Sequence, residues 1–153
     1  MTFTTIPPQA PTTTTILLFG DQTDSWIEGI DQLYNQAAST PWLKSFLDNL
    51  ACVVNAETKT ILLDRALQNS LGHFTSLQEL GDRYRHSNDE FGVARALLLH
   101  TLRVGTLLQW AKQEPSLLGP NARSEWLGIS GGLISLSALA VAEDFDTLVD
   151  ACL

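Results

Sequence analysis

A chain of 153 residues, 44 % apolar, is long enough to bury one core and short enough to be one domain. Nine basic residues against seventeen acidic ones, a net charge of −8, give no basic stripe and argue against a nucleic-acid partner. No apolar run reaches membrane-spanning length and no basic region precedes an apolar core at the N-terminus, which argues against a membrane and a secretory route. Cys52 and Cys152 lie far apart without metal-type spacing. The expectation is a cytoplasmic protein with two buried thiols, no disulfide framework and no metal.

Met1 to Thr15 is a Thr/Pro-rich leader (1–15) that cannot pack and is expected to be disordered. Ile16-Leu17-Leu18-Phe19, stopped by Gly20-Asp21-Gln22-Thr23, has the length and apolar continuity of a buried parallel strand. Asp24 or Ser25 caps a helix with Trp26, Ile27, Ile30, Leu33 and Tyr34 on one face. Thr40-Pro41 starts a second helix, with Leu43, Phe46, Leu47, Leu50, Val53 and Val54 as its stripe. A weaker helix is expected from Ile61 to Gln68, and Ser76-Leu77-Gln78-Glu79 has the form of a capping box before another. Asp89 to Lys112 is the strongest helix prediction: Phe91, Ala94, Leu98, Thr101, Leu102, Gly105 and Leu108 recur at helical spacing. Gly105 within it admits a neighbouring backbone. Glu114-Pro115 and Gly119-Pro120 break the chain before a second strand, Trp126 to Ile129.

That strand runs into Gly128-Ile129-Ser130-Gly131-Gly132 and then an apolar helix, Leu133 to Ala142. A last amphipathic segment carries Phe145, Leu148 and Val149 after Glu143-Asp144. Strand, sharp turn and helix form the pattern of a nucleophile elbow, G-x-S-x-G. The turn forces the serine backbone into a strained conformation, and Gly128 and Gly132 remove side chains that would collide with it. The following helix aims free N–H groups and its positive end at the turn, where an oxyanion forms during acyl transfer. The plan is an α/β core with two short parallel strands joined by a large helical crossover.

Phe19-Gly20-Asp21-Gln22-Thr23, Phe74-Thr75-Ser76-Leu77-Gln78-Glu79-Leu80, and Leu127-Gly128-Ile129-Ser130-Gly131-Gly132-Leu133 before an Ala-rich helix together resemble a known family. It is the starter-unit acyl-carrier-protein transacylase domain of fungal non-reducing polyketide synthases, within the malonyl/acyl transferase superfamily. The resemblance runs from about Ile16 to the last residue. It implies a truncated acyltransferase-like core, of α/β-hydrolase type, in 16–153. It places Ser130 as the acyl-accepting nucleophile, and Gln22 and the backbone N–H of Gly131 at the oxyanion hole. The implied reaction is ping-pong: an acyl thioester acylates Ser130, and a carrier-protein phosphopantetheine thiol removes the acyl group. The acyl thioester and the phosphopantetheinylated carrier are substrates, and no cofactor is held. The implied partner is an acyl carrier protein or a polyketide synthase chain.

Three departures from the family pattern bear on activity. The family usually places cysteine where Ser130 stands, and a serine hydroxyl needs a base in contact whereas a thiol is partly ionised near neutral pH. Gly131 loosens the first turn of the elbow helix by about 1 kcal/mol. The family's general-base histidine, ferredoxin-like subdomain and later strands are expected beyond Leu153. Of the histidines present, His73 and His86 are expected at solvated helix ends and His100 as a hydrogen-bonded core or groove residue, none of them as the base. Arg83-Tyr84-Arg85-His86 is expected as a solvated helix end, with docking of an acidic carrier helix as its alternative. The function that follows is starter-unit acyl transfer through a Ser130 acyl-enzyme, incomplete in this chain. The alternatives are a non-catalytic remnant that binds a carrier protein or synthase chain, and a truncated gene product. Two short apolar strands leave an open sheet edge, through which self-association is expected.

Overall fold

The computed structural model describes residues 15–19, 26–60, 71–86, 92–118, 124–128 and 132–153. Strand β1 (Thr15–Phe19) and strand β2 (Ser124–Gly128) pair in parallel, with Ile16 opposite Glu125 and Phe19 opposite Gly128. The first strand therefore takes in Thr15, which the composition of the leader had claimed. The second begins at Ser124, two residues before its apolar run, because the ladder pairs Thr15 with Ser124 whatever the polarity of either. The strand end expected at Ile129 lies outside the described residues.

The regular elements described between the strands are all helices. Helix α1 (Trp26–Ala37) buries Ile30, Leu33 and Ala37. Helix α2 (Pro41–Thr60) starts with proline at its first position and buries Leu43, Phe46, Leu47, Leu50 and Ala51, while Val53 and Val54 are half-buried. Helix α3 spans Leu77–His86, helix α4 Val93–Gln113, and a 3-10 turn Pro115–Leu117. Beyond β2 come helix α5 (Gly132–Val141) and helix α6 (Phe145–Ala151). The helix expected over Ile61 to Gln68, the caps Asp24 and Ser25, and the Gly119-Pro120 break lie outside the described residues.

Helix α4 is the hub, touching α1, α2, α3, α5 and α6. It begins at Val93 rather than Asp89, because Gly92 sits in the left-handed region (φ 64°) and cannot continue a right-handed helix. Its crossing with α1 is close because each helix offers a glycine to a leucine of the other. A Cβ on Gly105 would stand 2.7 Å from a Leu33 methyl, and one on Gly29 would stand 2.9 Å from a Leu102 methyl. Thr101, fully buried on the same helix, hands its hydroxyl proton to the carbonyl of Leu97 (2.9 Å).

The helix ends are fixed by side chains. Ser76 Oγ accepts the Glu79 N–H at 3.1 Å, as the capping-box pattern predicts. The return bond differs: the Glu79 carboxylate takes the N–H (2.8 Å) and hydroxyl (2.7 Å) of Thr75, one residue upstream of the cap. The Leu77 N–H, otherwise an orphan of the first turn, donates to the Tyr34 hydroxyl of α1 at 3.0 Å. Burial pushes the Tyr34 phenol above its ordinary pKa. At α6 a complete capping box joins Asp144 and Thr147, and the bonds from Thr147 hold the Asp144 carboxyl below its ordinary range.

Candidate functional site

Strand β2 ends at Gly128 and helix α5 begins at Gly132, so the chain reverses from strand to helix over three residues. A side chain at the start of this turn would be crowded by backbone. A Cβ on Gly128 would lie 3.0 Å from the carbonyl oxygen of Gly132, 3.1 Å from its carbonyl carbon and 3.2 Å from the Cα of Leu133. All three atoms are backbone, so no rotamer change relieves the contact. Gly132 is itself buried at the start of α5, which packs on both strands and on α4 and α6. Both glycines singled out in the sequence therefore stand where a strand folds directly back into a helix.

The parallel pairing sets what lies beside this turn. Phe19 and Gly128 are register partners at the C-terminal ends of β1 and β2. The segment that carries Gln22 and the segment that carries Ser130 thus leave the sheet from adjacent strands at the same edge, the edge at which open parallel sheets place ligands. Ser130, Gly131 and Gln22 lie outside the described residues.

The face of the sheet carrying Ile16, Glu125 and Leu127 has no helix over it among the described residues. Ile16 is 67 % exposed and Leu127 54 %, and Leu133 and Ile134 in the first turn of α5 are 56 % and 60 % exposed. On the other side of α5, Ser135 is fully buried and its hydroxyl has no hydrogen-bond partner among the described residues. Sequence periodicity misses such a residue, since a serine in an apolar run reads as a surface position.

The histidines fall as follows. His86 is exposed at the end of α3, its Nδ1 2.7 Å from the Asp82 carbonyl oxygen. His73 is exposed and lines a cavity of about 360 Å³ with Asn55, Thr58, Lys59 and Gly72. His100 is half-buried on α4, in keeping with a core or groove position, and its Nδ1 has no hydrogen-bond partner among the described residues. Burial, then the nearby Arg103 charge, lowers its pKa and keeps the imidazole neutral.

The basic cluster at the end of α3 is exposed, as expected of a solvated helix end, and its side chains tie α3 to neighbouring segments. Arg85 bridges Asp31 of α1 and Asp82 at 2.6 Å each, Arg83 donates to the Leu71 carbonyl at 3.0 Å, and Tyr84 packs against Trp26 with the rings tilted and centroids 5.4 Å apart. The pair of buried thiols is half corrected. Cys152 is buried and its thiol is pushed up to about 11, whereas Cys52 is exposed on α2. No group of three or more His, Cys, Asp or Glu among the described residues is arranged to hold a metal ion. No helix among them is long and apolar enough to cross a membrane.

Known proteins resemble the chain over most of its length. Residues 17–153 match the family model described as "Starter unit:ACP transacylase in aflatoxin biosynthesis". Non-reducing polyketide synthase rads2 of Floropilus chiversii is 66 % identical over 141 residues, covering 92 % of this chain and 7 % of the relative. Non-reducing polyketide synthase ZEA1 of Gibberella zeae is 58 % identical over 145 residues, covering 94 % and 7 %. Non-reducing polyketide synthase hmp3 of Hypomyces subiculosus is 55 % identical over 138 residues, covering 90 % and 7 %. The chain thus spans about 7 % of the length of these curated relatives. With a parallel strand pair, a helical crossover and a glycine-framed strand-to-helix turn, and with a family model matching nearly its whole length, the chain belongs to the starter unit:ACP transacylase family.

Proposed function

We propose that this chain carries the nucleophile-bearing part of an acyl-transfer site and moves a starter acyl group toward an acyl carrier protein. The observation that carries the reading is the turn at Gly128, where backbone of the following helix occupies the space of a side chain. Such a turn projects the residue at its apex away from both strand and helix, which is what an attacking hydroxyl requires. The G-x-S-x-G motif assigns that position to Ser130. Its Oγ forms a bond to the thioester carbonyl carbon as its proton passes to a base, and the C–S bond breaks to release the donor thiol. A phosphopantetheine thiol of the carrier then attacks the ester carbonyl, and Ser130 leaves as the restored hydroxyl. The Gly131 N–H, at the positive end of α5, and Gln22, beyond β1, are the donors proposed for the oxyanion. Each is worth about 3 kcal/mol of transition-state stabilisation. No resident cofactor enters this chemistry. The supporting fold is a part of an acyltransferase-like α/β core, with the parallel pair β1–β2 at its centre.

The alternative, a unit that binds a carrier protein or synthase chain without turnover, is favoured by the placement of the histidines. His86 Nδ1 lies against the Asp82 carbonyl of its own helix and His73 lies in a groove beside α2, so both sit on or beside α2 and α3 rather than on the elements that frame the elbow, which supports this reading. Intact-mass analysis after incubation with an acyl thioester separates the readings. Acyl transfer predicts a mass increase of one acyl group on Ser130, absent in Ser130→Ala, and its loss when a phosphopantetheinylated carrier is added. An acylated Ser130 that no carrier thiol discharges supports nucleophilic attack without transfer. No acylation of Ser130, with carrier retained in a binding assay, supports the alternative.

A further inference from the structure

We draw no further inference here: the strongest candidate, the exposed apolar face formed by Ile16 and Leu127 of the sheet with Leu133 and Ile134 of the helix that follows the elbow, carries nothing because nothing among the described residues shows what covers it.

Discussion

Two single residues test the site from opposite directions. Gly128→Ala places a methyl 3.0–3.2 Å from three backbone atoms of Gly132 and Leu133, so the strand end or the helix start must move. Overpacking of this kind costs about 1–3 kcal/mol. The expected outcome is a stability loss of that size in urea unfolding, with a Ser130 acylation rate lowered tenfold or more. Gly105→Ala is a useful contrast: its methyl would stand 2.7–3.3 Å from the buried Leu33 side chain at the α1–α4 crossing, away from the turn, so its stability loss should leave acylation unchanged. A wild-type acylation rate in Gly128→Ala would mean that the tight turn does not aim the serine. Ser135 works the other way. Its hydroxyl is buried without a partner among the described residues, and an unsatisfied buried polar group costs about 1–3 kcal/mol. Ser135→Ala is therefore expected to raise the urea midpoint, with a gain of about 1 kcal/mol once the small volume lost is offset. A lower midpoint would show that the hydroxyl has a bonding role.

At the scale of elements, the connection between α2 and α3 depends on one amide. Asn55 Nδ2 donates to the Phe74 carbonyl at 2.8 Å and to the Ala51 carbonyl of its own helix at 2.8 Å. The stretch 72–74 is thereby pinned along α2, with Phe74 buried and His73 left outside. Asn55→Ala leaves a half-buried carbonyl unpaired, at a cost of about 1–3 kcal/mol. Faster amide exchange localised to 71–76 should accompany the loss, while α4 keeps its protection. Equal exchange in both proteins would show that the Phe74 ring alone holds the segment. The cap of α3 shows what local patterns convey. Ser-x-x-Glu announced a helix start, but whether Glu79 bonds back to the cap or to Thr75 depends on the path by which the chain enters from α2.

For the whole molecule, the sheet is the exposed element. Parallel sheets are ordinarily covered on both faces, yet here Ile16 and Leu127 face water among the described residues, and a two-stranded sheet leaves each strand one unpaired edge. The helices around α4 hold the main core, so high helix content is expected even if the strand pair is weakly fixed. The isolated chain should self-associate in a concentration-dependent manner, measured by sedimentation velocity across a hundredfold concentration range. Leu127→Lys together with Ile134→Lys should return it toward monomer without lowering helicity. A wild-type chain that stays monomeric throughout would show that the apolar face tolerates water.

By itself the sequence determined the elements whose causes are local. Apolar period placed α1, α2 and α4, and an apolar run placed α5; Pro41 and Ser76 marked helix starts; and the glycines around Ser130 marked a turn between strand and helix. The family resemblance was legible for the same reason, since its motifs are short and contiguous. Tertiary structure decided what depends on partners distant in the chain. The ladder set the start of β2, because Ser124 is a strand residue only by pairing with Thr15. The left-handed Gly92 set the start of α4, since a glycine gives no signal of which way it will turn. The Arg83–His86 cluster proved to be a clasp on α1 and on the Leu71 carbonyl because Asp31, far away in sequence, lies within reach. The collision awaiting any side chain at Gly128 was implied by a motif, but its severity comes from where the backbone of Gly132 and Leu133 packs, and that is fixed by α5 settling on the sheet and on α4.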